Sequence, residues 1–570
     1  MDIIIKGDIS GIQDFIFNVQ SKGAAKSLRA RSFFIDAVGL LAEKYIIEQF
    51  EIDTSFRIYN GGGNFYLKIP ADKWDKKTFD EIQKYFLKQF YNINLSVNLS
   101  YISYDSENYG EKIGKLNRKV NFEKLSKYQQ TEFLFKTFEK NDHKSQEKFI
   151  AFSQNLVKSN SYTIQKTDNV NLTFPNVIKP DKITLFGYEL KLYASQPANA
   201  LKIFSNVPVW SNDLIRKHHK YINKEEKFNI KTGSTIEFED LAEFARARTG
   251  TAKIAALKLD IDNLGTLFQQ INNENENIFL SKKISEFFTD KFFDIINNEN
   301  FSYKKHQLNE SKKKYFETKD FFNNGETIPY KEYILDEHKV NFKENLYVVF
   351  AGGDDSFIIG AWDAILEFAI LLRKRFADFE SSKIRQKLKQ LSQPITFSAS
   401  IILIDDHFPI LKMAELAEDE LYIAKKITSN NLDATGKYMK NKISLLNHVF
   451  DWNKFDEIIE LKNIFYDMIA RYGEERAFLH KLQELFESKD KKEWNLHNKP
   501  FNPRALWLFK YIFRDIKKET YFSAKSFYSK FFNSGGIYKK HVWNSFTDDN
   551  KSGLPLPVAS KWTELLTKKI

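Results

Sequence analysis

The sequence predicts an α+β fold in which one ferredoxin-like βαββαβ unit occurs twice. Three observations predict it. Two apolar hairpins with glycine-rich corners lie at 56–69 and 347–360. Each is preceded by a strand that ends in an acidic corner, GDIS at 7–10 and LDID at 259–262. Apolar residues at helical spacing follow both corners and both hairpins.

The elements follow in order. Ile3-Ile4-Ile5 make the first strand, and Lys22, Lys26, Arg29 and Arg31 come after its corner. Phe34, Val38, Leu41 and Tyr45 keep helical spacing. A hairpin around Gly61-Gly62-Gly63, a helix over 74–91 and an alternating edge strand over 95–104 complete the first unit. Residues 106–240 read as a linker domain, basic and helical over 115–140 and then polar with little periodicity.

The second unit spans 241–448, with a polar insertion at about 301–345. Its strand ends at Asp260, a helix covers 282–296, and the hairpin YVVFAGGDDSFIIG follows. Trp362, Ile365, Ala369, Leu372 and Phe376 mark the next helix. A strand over 395–404, an extra helix over 411–425 and a short strand over 443–446 close the unit. Residues 449–570 read as a C-terminal helical bundle, with periodicity at 455–468 and 478–486.

Composition narrows the function classes. With 42% hydrophobic and 28% charged residues the chain is of globular type. A net charge of +11 fits a nucleic-acid or nucleotide partner. No cysteine is present, which excludes disulfides and Cys-ligated zinc. No run of 18 apolar residues occurs, and Met1 leads straight into a strand, so a cytoplasmic protein without membrane spans is expected.

The chemistry lies at the two corners of the second unit. Asp260 and Asp262 share one face of a strand. Gly352 and Gly353 let the backbone approach a ligand, and Asp354 and Asp355 repel each other unless a hard divalent cation sits between them. A D-x-D strand end beside an Asp pair suits two-metal phosphoryl transfer, the pattern of a nucleotidyl-transferring palm. The first unit keeps the glycine hairpin, GGGN at 61–64, and one carboxylate, but no Asp pair. A duplicated palm with one catalytic and one ligand-binding copy is the expectation.

GDISGIQDFIF (7–17), KGAAKSLRARSFFID (22–36), GGGNFYL (61–67), LKLDIDNLG (257–265), FAGGDDSFIIGAWD (350–363) and ITFSASIILIDDHFPILKMAELAEDEL (395–421) carry a resemblance. In these stretches the chain is similar to the large polymerase-like subunit of type III CRISPR–Cas effector complexes. The resemblance implies two facing palms, partner subunits, a guide RNA and a target RNA. It also implies synthesis of an adenylate second messenger from ATP with Mg²⁺ or Mn²⁺. Many members carry an N-terminal HD nuclease domain. This sequence has no His-Asp dipeptide and its first palm begins at residue 2, so no single-stranded DNase activity is expected.

On this resemblance Asp260, Asp354 and Asp355 bind the metals and are catalytic. Gly352, Gly353, Ile261 and Asp262 border the nucleotide. Lys425 matches the phosphate-binding lysine of diguanylate cyclases, distant relatives of this palm. Ser10, Gly61, Gly62 and Gly63 line the acceptor pocket, and Ser398 and Ser400 are candidates for adenine contact. In most members the products are cyclic oligoadenylates; some members without the HD domain join AMP to S-adenosylmethionine. A non-catalytic scaffold is the reading from another class.

Overall fold

The computed structural model describes residues 1–19, 23–90, 95–104, 108–126, 144–170, 172, 181–218, 230–271, 273–308, 314–317, 327–330, 333–353, 355–391, 393–427, 432, 434–470, 474–486, 512 and 555–568. Lys22 and Asp354 lie outside these residues.

The first unit runs β1 (Asp2–Ser10), α1 (Ile12–Phe17), α2 (Leu28–Gln49), β2 (Arg57–Gly61), β3 (Asn64–Ile69), α3 (Lys76–Phe90) and β4 (Ser96–Tyr104). Its sheet has the order β2-β3-β1-β4. Ile3, Ile5 and Ile9 face one core with α2 and α3, while Ile4 faces the other side. That second face is covered by α4 (Tyr109–Ser126), so the start of the expected linker packs on the first sheet. α2 is apolar nearly all round because it is enclosed on both sides. It packs on its own sheet and on the second unit, where the Arg29 backbone N–H donates to Tyr347 Oη at 2.9 Å.

Residues 144–218 hold α5 (Lys144–Lys158), β5 (Ser161–Lys166), β6 (Lys182–Leu185), β7 (Tyr188–Tyr193), β8 (Leu201–Lys202) and α6 (Asn212–His218). The strands form an antiparallel sheet, β6-β7-β5-β8, where sequence periodicity suggested none. Tyr188, Leu190 and Leu192 alternate inward from β7 into the core of the first unit. The turn between β6 and β7 uses Phe186 at φ 55°, a conformation that bulky residues rarely take and that sequence does not announce.

α7 (Phe238–Thr249) leads into the second unit: β9 (Ile254–Ile261), α8 (Leu264–Gln270), α9 (Glu274–Glu286) and, after a π-helical turn, α10 (Phe292–Asn298). The helix expected from 282 starts at Glu274, where the Asn273 side chain accepts from the Glu276 N–H as an N-cap. The insertion is a hairpin of β10 (Asn300–Leu308) and β13 (Tyr333–Asn341), with β11 (Lys314–Glu317) and β12 (Thr327–Tyr330) paired between them. Then follow β14 (Leu346–Gly352), β15 (Asp355–Ala361), α11 (Trp362–Phe379), β16 (Phe397–Ile404), α12 (Ile410–Lys426), β17 (Lys442–Leu445) and β18 (His448–Asp451).

The second sheet has the order β14-β15-β9-β16-β17-β18. Its first four strands repeat the order of the first sheet. Ala255, Leu257, Leu259 and Ile261 face α9 to α11, α13 (Phe455–Ala470), α14 (Ala477–Phe486) and α15 (Pro555–Leu566). Ile254 and Ala256 face the first unit. Burial on both faces explains why β9 reads as an almost unbroken apolar run. The two units share one core, in which Phe17 of α1 meets Phe357 of β15 edge-on at 4.9 Å.

Candidate active site

The two glycine corners meet. A Cβ at Gly353 would lie 2.7 Å from Tyr59 Oη and 3.3 Å from the Gly62 nitrogen. Gly353 has φ 67° and Gly62 has φ 59°, so both corners use the left-handed backbone that glycine permits. Around Gly352 no atom comes within 4 Å of a would-be Cβ, which leaves open space at the corner.

Asp355 opposes Asp260 across the β15–β9 ladder. Each carboxylate is met by a lysine. Lys425 Nζ from α12 lies 2.5 Å from Asp260 Oδ2. Lys258 Nζ lies 2.9 Å from Asp355 Oδ2 and 2.9 Å from Glu418 Oε2. Gln13 of the first unit donates to Glu418 at 3.3 Å. Burial raises the Asp355 carboxyl above the ordinary carboxylate range; Lys258 opposes this, while Asp260 and Glu418 add to it. Burial pulls the Lys258 ammonium down, but Asp355 and Glu418 outweigh it and hold it above its ordinary value. Asp355 Oδ1 is buried and accepts no hydrogen bond.

An unpaired oxygen on a partly buried carboxylate, opposite a second carboxylate and beside open space, fits a divalent cation with hard oxygen ligands. Asp260 and Asp355 are the described residues that would hold it. Among the described residues no group of three His, Cys, Asp or Glu forms a metal cluster, and Asp354, the third expected ligand, lies outside them.

The D-x-D pair divides. Asp262 is 4% exposed and serves the fold. Its carboxylate accepts from Thr396 Oγ1 at 2.8 Å, Ser398 Oγ at 2.7 Å and the Asn441 N–H at 2.9 Å. Ile261 is buried in the core, so only its backbone remains for a ligand. Ser398 and Ser400 are fully buried; Ser398 serves Asp262, and Ser400 donates to the Ala417 carbonyl at 2.6 Å. Neither hydroxyl reaches a nucleotide in this geometry. Ser10 Oγ accepts from Asn98 Nδ2 at 3.0 Å. The Gly63 carbonyl accepts from the Ile9 N–H, which leaves Gly61 and Gly62 at the open corner.

A cavity of about 180 Å³ opens between the two units. Lys6, Tyr59, Tyr66 and Asn117 line it from the first, and Phe268 and Asn277 from the second. Aromatic faces among amide groups suit a planar base.

Sequence reasoning missed Lys258, Glu418, Gln13 and this cavity. A signal existed: a lysine precedes the corner aspartate by two residues in both units, Lys6 before Asp8 and Lys258 before Asp260.

The sequence matches the family model of the Csm1 subunit domain B over residues 1–141 and that of the second palm domain of Cas10/Cmr2 over residues 253–433. Together these spans cover more than half of the chain. The chain belongs to the Cas10/Csm1 family.

Two Cas10/Csm1 relatives are named as CRISPR system single-strand-specific deoxyribonucleases of subtype III-A. The one from Methanocaldococcus jannaschii is 26% identical, over 79% of this chain and 59% of its own length. The one from Enterococcus italicus is 24% identical, over 86% of this chain and 60% of its own length. The chain thus spans about three fifths of the relatives it matches. Solved Csm1–Csm4 cassettes share the Cas10/Csm1 fold. The apo cassette aligns with TM-score 0.62 at 18% identity, covering 99% of this chain and 70% of the other. Cassettes in complex with one ATP and with cA4 align at 0.61 and 0.62, both at 19% identity, each over 99% of this chain and 70% of the other. Among the described residues no helix is long and apolar enough to cross a membrane.

Proposed function

We propose that the chain is the large subunit of a type III CRISPR effector and makes an adenylate second messenger, a cyclic oligoadenylate, from ATP when target RNA is bound. The carrying observation is the unpaired Asp355 Oδ1 opposite Asp260, at the corner where the two palms meet. In this reading residues 1–105 and 241–448 are the palms, 106–240 join them, and 449–570 form a helical end. The ATP and cA4 complexes of Csm1–Csm4 cassettes support the substrate and product class.

Asp260, Asp354 and Asp355 hold Mg²⁺ or Mn²⁺. When bound, the metal neutralises phosphate charge and eases loss of the acceptor hydroxyl proton. The chain supplies the rest. Lys258 and Glu418 hold Asp355 in place. Lys425 leaves Asp260 for the donor phosphates. The open backbone at Gly352 admits the donor, and the cavity beside Tyr59 and Tyr66 takes a base. Facing glycine corners bring acceptor and donor together, and such positioning is the larger part of phosphoryl transfer catalysis.

The test is the assembled complex with labelled ATP, metal and target RNA, with and without S-adenosylmethionine, read by mass spectrometry. Cyclic oligoadenylate in both tubes supports the reading. A mixed adenylate appearing only with S-adenosylmethionine replaces the product. Synthesis retained by Asp354→Ala plus Asp355→Ala removes the site assignment, and no product in either tube returns the scaffold reading.

A further inference from the structure

The two palms carry the same constellation with two exchanges. Asp8 opposes Asn64 in the first ladder as Asp260 opposes Asp355 in the second. α4 follows β4 across the first sheet as α12 follows β16 across the second. Near the end of α4, Lys124 Nζ lies 2.7 Å from Asp8, as Lys425 lies 2.5 Å from Asp260. Lys6 Nζ donates to Asn117 Oδ1 at 3.0 Å, as Lys258 meets Glu418 at 2.9 Å. Asn117 precedes Lys124 by seven residues, and Glu418 precedes Lys425 by seven.

The exchanges change the sign of the site. In the second palm three described carboxylates outnumber two ammonium groups. In the first, Asn64 and Asn117 replace two of the carboxylates, so Lys6 and Lys124 face Asp8 alone. Lys6 also lies 3.6 Å from Asp8 and borders the cavity, which is open at Gly265. Gln13 occupies the matching position in the other half and fills it by reaching Glu418.

We propose, on the nucleotidyl-transfer reading above, that Lys6 and Lys124 hold the anionic tail of the acceptor nucleotide directly, without a metal ion. A net positive half-site attracts a triphosphate and repels a cation. The acceptor is therefore a 5′-phosphorylated adenosine. S-adenosylmethionine, whose sulfonium would sit beside two ammonium groups, is disfavoured.

The test is equilibrium dialysis of labelled ATP against the full chain in excess EDTA. The wild-type chain retains ATP, binds adenosine more weakly, and does not release ATP to S-adenosylmethionine. Lys124→Ala weakens metal-free ATP binding about tenfold, as loss of a charge-assisted contact should, while Lys124→Arg keeps it. The Lys124 side chain is 30% exposed, so its truncation leaves the fold intact, and circular dichroism checks this. Lys6→Met, which keeps the apolar stem, is the second variant and also weakens binding. No ATP retention in EDTA, retention indifferent to both lysines, adenosine binding equal to ATP, or displacement by S-adenosylmethionine would each overturn the assignment. Metal-dependent synthesis is scored apart. Metal-free binding without synthesis removes the enzymatic reading and keeps the anion site; synthesis without metal-free binding does the reverse.

Discussion

Lys425 Nζ stands 2.5 Å from Asp260 Oδ2, in the place a divalent cation would claim. The ion pair settles the charge of an empty site and competes with metal. Lys425→Ala deletes the competitor. Mn²⁺ binding to the nucleotide-free chain is expected to tighten about three- to tenfold, since such a partly buried pair is worth on the order of 1 kcal/mol. The KM for ATP should rise in the same variant, because a phosphate partner is lost. An electron paramagnetic resonance titration with Mn²⁺ reads the first effect. Unchanged or weaker Mn²⁺ affinity would show that Lys425 does not guard the site.

Asp262 and Asp260 are two residues apart and should respond differently. Asp262→Ala strands the Thr396 and Ser398 hydroxyls and the Asn441 N–H in the interior. The expected cost is about 3 kcal/mol of stability, the range for breaking a buried charged network. Asp260→Ala removes a partly exposed carboxylate and should cost under about 1 kcal/mol. Urea midpoints for the two variants decide this. Equal midpoints would mean that Asp262 does not brace the fold.

Much of the frame was legible because it is written locally. Gly352 and Gly353 between apolar runs, and Asp260 at a strand end, carry their geometry in their spacing. Lys258 was not legible, because a lysine inside an apolar strand looks like a solvent-facing residue. Its partners Asp355 and Glu418 are 97 and 160 positions away, and only the fold brings them near. Ser398 and Ser400 misled for a related reason. Polar residues on a palm strand suggested ligand contact, whereas a buried carboxylate and a buried carbonyl were waiting for their hydroxyls. The β5–β8 sheet escaped because its strands are short and one turn places Phe186 at positive φ.

His448, at the start of β18, gives a pH dependence. Burial lowers its pKa from 6.5 to about 4. The unfolded chain therefore binds a proton between those values that the folded chain refuses. Stability contributed by the neutral ring is complete above about pH 6.5 and is lost as pH falls toward 4. At pH 5 the loss is on the order of 1–2 kcal/mol. Thermal midpoints at pH 7 and pH 5 for wild type and His448→Gln measure it. The wild type should fall more steeply than the variant; parallel slopes would refute the buried neutral ring.

Gly353 tests whether the meeting of the palms matters for synthesis. Its φ of 67° disfavours any side chain, at a cost of about 1–2 kcal/mol for alanine. The new Cβ would also lie 2.7 Å from Tyr59 Oη and 3.3 Å from the Gly62 nitrogen, so the corners must part. A shift of about 1 Å between positioned reactants costs roughly 10²-fold in rate. Gly353→Ala is thus expected to lower adenylate synthesis by about that factor while the core, which the corner does not enter, keeps its melting temperature. Adding Tyr59→Phe removes the hydroxyl that the methyl strikes and should restore part of the rate, leaving the backbone strain. Gly352→Ala, where no atom lies within 4 Å, is the control for folding. Full synthesis by Gly353→Ala would mean that contact between the corners is incidental. A loss that Tyr59→Phe does not relieve would assign the effect to the backbone of the corner alone.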